Sequence, residues 1–250
     1  MTAFEIVSLV CAAAAAGVIN AVAGGGTILT FPTLLAFGTL PVVANATSTV
    51  ALVFGTSGSV YGYRRHLSSV RKWLWYFVPV SLLGGLIGSW LLTITGNETF
   101  SRLVPFLIFF ATLLFLALGF VVRRTGQPRP RRIWLAVLFQ FFVAIYGGFF
   151  GAGIGILMLA TLGFIGLSDI HQMNALKNCL GSLINIVAAI TFICRGMVDW
   201  PRVGIMTLGA VAGYYLGSHY AQKIPQPWVR RIVLGIGFGI SGIAFYRQFS

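Results

Sequence analysis

The sequence predicts an all-α, polytopic integral membrane protein with eight to ten spans in two homologous repeats. Three observations lead to this fold class. Apolar runs of about 20 residues recur along the chain, and a helix of that length crosses about 30 Å of hydrocarbon. Only 8% of the 250 residues are charged, whereas soluble domains carry about 25%. Finally, a glycine cluster that interrupts an apolar run occurs twice, at Gly24 and again at Gly153, 129 residues later.

Two other protein classes fit the sequence poorly. Transmembrane β-barrels alternate apolar and polar residues in segments of about ten, and this chain has no such alternation. The net charge of +13 would suit a nucleic-acid-binding protein, but the basic residues lie mainly in short loops, where topology signals belong. We therefore expect the protein to be surrounded by a lipid bilayer and to bind no nucleic acid.

Ten apolar segments follow one another, five in each repeat. Repeat 1 covers residues 1–122, a basic linker covers 123–132, and repeat 2 covers 133–250. The segments lie near 3–23, 27–40, 42–63, 73–95 and 103–122, then near 133–151, 153–167, 173–194, 203–221 and 229–248. The second of each five reaches only about 21 Å as a helix. It is a tilted short helix, a half-helix that starts at the glycine break, or part of a re-entrant hairpin.

Each short segment follows a glycine break. The residues of the two breaks are Gly24, Gly25, Gly26 and Thr27, and then Gly153 and Gly155. A glycine in a helix forfeits about 1 kcal/mol of helix propensity, but it lets backbone N–H groups approach a ligand closely. A helix that starts after each break would direct the positive end of its dipole at an anion held there. A tight turn between helices is the alternative explanation.

Polar residues form a stripe on the third segment of each repeat, at spacings close to three and four. The stripe residues are Asn45, Ser48, Thr49, Thr56 and Ser59 in repeat 1, and Asn174, Lys177, Asn178 and Asn185 in repeat 2. Polar side chains in hydrocarbon are costly and usually face a bundle interior or an aqueous path. Hydrogen bonding between helices is the alternative role. Asn20, just before the first break, is a further candidate for the same path.

Lys177, Asp169 and His171 are candidates for roles in transport chemistry. Lys177 either supplies positive charge to an anionic substrate or extends its head to the membrane surface. Asp169 and His171, at the start of the polar segment of repeat 2, are candidates for a proton relay.

Cys11, Cys179 and Cys194 form no CxxC pair, and no catalytic arrangement, metal site or cofactor site follows from the sequence. The small-xxx-small spacing predicts packing contacts between helices for Gly84, Gly88, Gly213 and Gly217.

The Lys and Arg distribution predicts the orientation in the membrane. The loop at 64–72 and the linker are basic and should be cytoplasmic, whereas the matching loops of repeat 2 have the opposite bias. Opposite bias in homologous loops is typical of inverted repeats. With ten spans both termini lie outside, and Lys plus Arg divides 13 inside to 4 outside. With eight spans the termini lie inside and the division is 12 to 5, so we favour inversion.

The glycine break, the short segment with Pro32 and then Asn45-Ala46-Thr47-Ser48 together resemble the sulfite exporter TauE/SafE family. The stretch from Gly148 to Gly155, followed by Ala175-Leu176-Lys177-Asn178, resembles that family's second copy, so the resemblance covers essentially the whole chain. It implies that 45–49, including Thr47, and 174–178 are facing helical stretches beside the breaks. This chain departs from the family by having Ala152 and Ile154 where the family is richer in glycine.

The resemblance implies transport of a small anion, often sulfite or an organosulfonate, across the bacterial inner membrane. From the residues and the resemblance together we expect a secondary transporter with a midplane site between the repeats, working by alternating access. A passive anion channel and a non-transporting membrane scaffold are the alternatives. The expected partners are the anion and the lipid bilayer, with a homo-oligomer left open, and we expect neither enzymatic activity nor a cofactor.

Overall fold

The computed structural model describes most of the chain. The described residues are 1–22, 24–62, 67–121, 133–164, 167 and 170–220, together with 234–235, 238–239, 242 and 245–246. The linker at 123–132 and Asp169 lie outside them, as does the side chain of His171. The proton relay suggested for Asp169 and His171 therefore stays a prediction.

The described part of the chain is helical and contains no strand. Nine helices have described bounds, namely α1 (Ala3–Val22), α2 (Thr27–Ala36), α3 (Pro41–Gly62), α4 (Arg71–Ile94), α5 (Asn97–Val121), α6 (Ile133–Phe149), α7 (Ile154–Phe164), α8 (Ile170–Cys194) and α9 (Trp200–Tyr220). At the offset of 129 residues, α1 to α4 align with α6 to α9 in order. The short helices α2 and α7, of 10 and 11 residues, both follow a glycine break.

The surface of this bundle is apolar, as a membrane protein requires. Among the described residues, three helical stretches are long and apolar enough to cross a membrane, namely Ala3–Ala21, Arg71–Ile94 and Gln172–Cys194. Large apolar side chains lie on the outside, including Trp75, which is 74% exposed, and Leu208, which is 72% exposed. The helical membrane class predicted from the sequence is thereby confirmed.

Two close helix pairs hold the bundle together, and each pair joins residues from both halves of the chain. Along α1 and α9, Ala14 contacts Gly213 and Val18 contacts Gly217, so the two helices run in the same direction. Gly84 and Gly88 of α4 contact α6 in the same way, at Ala144 and Ile145. A side chain at these glycines would overlap the neighbouring backbone, which confirms their predicted packing role.

Helices α3 and α8 lie between these pairs. Helix α3 packs on α9, α8 and α2, and α8 packs on α4, α3 and α7. Helix α3 runs in the same direction as α9, because Thr47 bonds to Asp199 and Gly55 contacts Tyr214. The C-terminal half of α8, at Ala189, packs near the first half of α3, at Val50.

The short helix α2 returns along α1 in the opposite direction. It begins beside Ala16 and Asn20 of α1, which lie against Gly26. It ends near the start of α1, where the Phe37 ring stacks edge-on against Phe4 at a centroid distance of 6.1 Å. Its ten residues rise about 15 Å, and Gly38, at a φ of 78°, then turns the chain into α3.

Candidate functional site

The two glycine breaks touch each other. Gly24 and Gly153, at matching positions of the two halves, both have left-handed backbone, with φ of 79° and 77°. Glycine adopts this conformation without a steric cost, whereas other residues do not. A Cβ placed on Gly24 would lie 2.7 Å from the Cα of Gly155, so only glycine permits this approach. The chain therefore brings together two backbone segments that are more than 100 residues apart in sequence.

Hydrogen bonds fix each break in place. The Gly26 N–H donates to Asn20 Oδ1 at 2.7 Å, which holds the start of α2 against α1. In the second break, the Tyr146 hydroxyl donates to the Ala152 carbonyl at 2.9 Å. A hydrogen bond also joins the two halves, because Asn45 Nδ2 on α3 donates to the carbonyl of Phe149 at the end of α6, at 3.1 Å.

A cavity of about 50 Å³ lies beside the touching breaks. A buried water needs about 10–15 Å³ of such space, so the cavity holds a few waters or one ion of a few heavy atoms. Its lining residues are Asn20, Gly24, Thr27, Thr49, Leu52, Thr56, Gly151, Ile154, Gly155, Met158, Lys177, Asn178, Gly181, Ser182, Asn185 and Tyr214.

The cavity walls come from equivalent positions of α3 and α8. Thr49 and Thr56 on α3 correspond, at the offset of 129 residues, to Asn178 and Asn185 on α8. The two walls nevertheless differ chemically. The Thr49 hydroxyl donates its hydrogen to the Asn45 carbonyl at 2.9 Å, so its oxygen is left to the cavity as an acceptor. The α8 wall instead offers donors.

Lys177 is the main donor on the α8 wall. The residue is 3% exposed, and its Nζ is buried without a hydrogen-bond partner among the described residues. Asn178 Nδ2, in the same cavity, is likewise buried without a partner there. A buried donor that lacks an acceptor is costly, and an ammonium is more costly than an amide. The geometry is therefore complementary to a ligand that brings acceptors and negative charge. In this conformation the ammonium does not reach the surface.

No carboxylate in the described part of the chain lines the cavity. Glu5 and Asp199 both bind Arg202, each with a shortest contact of 2.7 Å, at the end of the bundle where α1 and α9 begin. Glu98 pairs with Arg102 on the exposed first turns of α5. The remaining acidic residue of the chain, Asp169, is outside the described residues. Among the residues that the structure describes, Lys177 thus lacks a counter-ion.

Some of the predicted binding residues line the cavity and others do not. Those that line it are Asn20, Gly24, Thr27, Thr49, Gly155, Lys177, Asn178 and Asn185. Gly25, Gly26 and Gly153 belong to the break backbone beside it. Asn45 and Ser48 make interhelical hydrogen bonds instead, which is the alternative role of the stripe. Thr47, from the facing stretch that the resemblance implies, accepts a hydrogen bond from the Asp199 N–H just before α9. Asn174 is half-buried, and its Oδ1 is without a partner among the described residues.

The structure adds lining residues that sequence reasoning missed. Tyr214 on α9 packs against Gly55 of α3, where a Cβ would overlap its ring. Met158, Gly181 and Leu52 complete the apolar part of the wall. Gly181 could have been found from the stripe, since it lies four residues after Lys177 on the same helical face. Tyr214 carries no such signal, because it stands within an otherwise apolar run.

Comparisons with known proteins give a family and several relatives for this chain. A family model described as sulfite exporter TauE/SafE matches residues 9–244. A probable membrane transporter protein of Haemophilus influenzae is 27% identical over 245 residues, covering 96% of this chain and 94% of that protein. The probable membrane transporter protein YfcA of Escherichia coli K12 is 27% identical over 92% of this chain and 86% of its own length. The probable membrane transporter protein ORF9 of a Sinorhizobium species is 27% identical over 97% of this chain and 94% of its length. No solved structure matches the chain.

Proposed function

The chain belongs to the sulfite exporter TauE/SafE family, and on that premise we propose that it is a secondary transporter of a small anion in the bacterial inner membrane. The proposed substrate is sulfite, as the family description suggests, or an organosulfonate, which also carries a sulfur oxyanion group. Full-length relatives in three bacterial genera are described as probable membrane transporters, which supports transport as the general activity.

The observation that carries the proposal is the buried ammonium of Lys177, a residue that lines the cavity. Lys177 is 3% exposed and its Nζ has no acceptor in the described part of the chain. An ammonium in hydrocarbon costs at least about 2.5–3.5 kcal/mol on insertion scales. An anion in the cavity would offset that cost. The N-terminal ends of α2 and α7, which lie beside the cavity, also favour a negative charge there.

We propose that the two halves form inverted repeats with ten spans. Support comes from the helix directions: α2 runs back along α1, and α3 has the direction of α9 and hence of α1. Each half would then cross the membrane five times, and an odd number inverts the second half. The packing of the C-terminal half of α8 on the first half of α3 agrees with this arrangement.

Inverted repeats around a shared site are the basis of alternating access in many transporter folds. In this chain each half contributes one break, one short helix and one wall to the cavity. A rocking motion of one half against the other would change which membrane face reaches the cavity. The contact between Gly24 and Gly155 is the proposed point about which the halves move.

Flux measurements on the purified protein in proteoliposomes test the proposed function. Vesicles loaded with unlabelled sulfite, thiosulfate, sulfoacetate or sulfate are diluted into ³⁵S-labelled sulfite. A transporter gives saturable uptake that substrate inside the vesicle accelerates, because the binding site then returns to the outer face with an internal anion bound. Uptake that neither saturates nor responds to internal substrate would indicate the passive anion channel. No uptake above protein-free vesicles with any of these anions would refute anion transport.

A further inference from the structure

The charge count of the cavity leads to an inference about substrate valence that rests on the proposed function. We propose that this cavity selects monovalent oxyanions over divalent oxyanions of the same size and shape. The protein would then carry hydrogen sulfite or a sulfonate monoanion, and would discriminate against sulfate and against the sulfite dianion. Lys177 is the specificity-determining residue.

The number of full charges at the site sets the valence of the anion that the site can neutralise. Among the lining residues that the structure describes, Lys177 is the only one with a formal charge, and the other polar side chains are amides and hydroxyls. The acidic residues Glu5, Glu98 and Asp199 are engaged with arginines away from the cavity. A bound monoanion therefore gives a neutral site, whereas a bound dianion leaves one negative charge without a partner.

The desolvation cost of an anion and its attraction to Lys177 depend on its charge in different ways. The cost of removing an ion from water rises with the square of its charge in a continuum description, whereas its attraction to one cation rises linearly. The cavity is small, about 50 Å³, so a bound ion keeps few of its waters. The second charge of a dianion thus adds more desolvation cost than attraction.

Two helix starts reduce this difference without cancelling it. Helices α2 and α7 begin at the cavity and contribute partial positive charge there. They are only 10 and 11 residues long, so the opposite end of each dipole is about 15 Å away. At the start of α2 the Gly26 N–H is already occupied by Asn20 Oδ1, which brings its own partial negative charge.

The experiment compares anions that differ in charge but not in shape. Sulfamate and methanesulfonate are monovalent and sulfate is divalent, and all three are tetrahedral. Their binding to the purified full-length protein is measured by titration calorimetry, and each is tested as a competitor of ³⁵S-labelled sulfite uptake. We expect both monoanions to bind at least tenfold more tightly than sulfate.

A gain of divalent binding tests the cause of the selectivity. Thr49→Lys places a second cation on the opposite wall, at the position that corresponds to Asn178, and should reduce or reverse the preference for monoanions by at least tenfold. Gly96→Lys adds the same charge in the exposed turn between α4 and α5 and should leave the preference unchanged. In Asp169→Asn the ratio of monoanion affinity to sulfate affinity should also stay unchanged, because Lys177 alone carries the proposed site charge, whereas flux should fall if Asp169 takes part in the predicted proton relay.

Three outcomes would overturn the inference. Sulfate that binds the natural protein as tightly as sulfamate would show that valence is not selected. An Asp169→Asn variant that gains sulfate affinity would show that a carboxylate shares the site charge. A folded Thr49→Lys variant with unchanged selectivity would place the charge discrimination elsewhere. Failure of the proposed function looks different, since none of the three anions would then bind or compete.

Discussion

Replacement of Lys177 by methionine removes the buried charge while keeping the length of the side chain. The ammonium is buried at the wall of the cavity without a partner in the described part of the protein. Its removal should therefore leave the folded protein equally stable or more stable. Removal of a partnered charge would have the opposite effect, because it would leave an unpaired group behind.

The size of the functional loss follows from the same geometry. A hydrogen bond to a charged group contributes about 1.5–3 kcal/mol, and every 1.4 kcal/mol changes an affinity by about tenfold. Lys177→Met should thus weaken anion binding by about tenfold to 150-fold. Lys177→Arg should retain part of the affinity, because the charge stays while its position and hydrogen-bonding geometry change.

The assay measures anion affinity by titration calorimetry and the thermal midpoint of the detergent-solubilised protein in parallel. Lys72→Met is the matched control, because Lys72 lies exposed at the start of α4 and away from the cavity. It makes the same chemical change and should alter neither affinity nor flux. If Lys177→Met binds the anion as tightly as the natural protein does, Lys177 does not bind the anion, and the N-terminal ends of the short helices remain as the binding groups.

Three further predictions concern the break, the ion cluster and the topology. Gly24→Ala forces a side chain into left-handed backbone 2.7 Å from Gly155 Cα, so the transport rate should fall at least tenfold. The control Gly204→Ala, which has open space around it, should transport at the natural rate. Equal flux in the two variants would show that the close contact between the breaks is not needed for transport. Arg202→Gln leaves a buried Glu5 without its partner and should lower the free energy of unfolding by about 3 kcal/mol. The thermal midpoint measures this loss. Arg102→Gln, which breaks an exposed ion pair, should change the thermal midpoint little. Tags at both termini should be accessible from the periplasm in intact cells; a cytoplasmic terminus would contradict ten inverted spans.

The sequence by itself determined the features that depend on local composition. Long apolar runs and scarce charge specify membrane helices wherever they occur, so the class followed without tertiary information. Two glycine breaks at a constant offset predicted the interruptions and the short helices, since glycine weakens a helix whatever surrounds it. The packing glycines followed from their spacing, because i, i+4 residues share one face. Lys177 stood out for a similar reason, as a charge within an apolar segment is costly in any fold.

Only the tertiary structure decided which residues meet. The contact of Gly24 with Gly155, and the ion pair between Glu5 and Arg202, join positions that are far apart in the chain. The polar stripe could not be divided from the sequence, because a buried serine or asparagine has the same pattern whether it bonds to a helix or lines a cavity. In the fold, Ser48 bonds to Thr30 at 2.6 Å while Lys177, its counterpart in the second half, has no partner among the described residues. The difference depends on which helix packs against each residue.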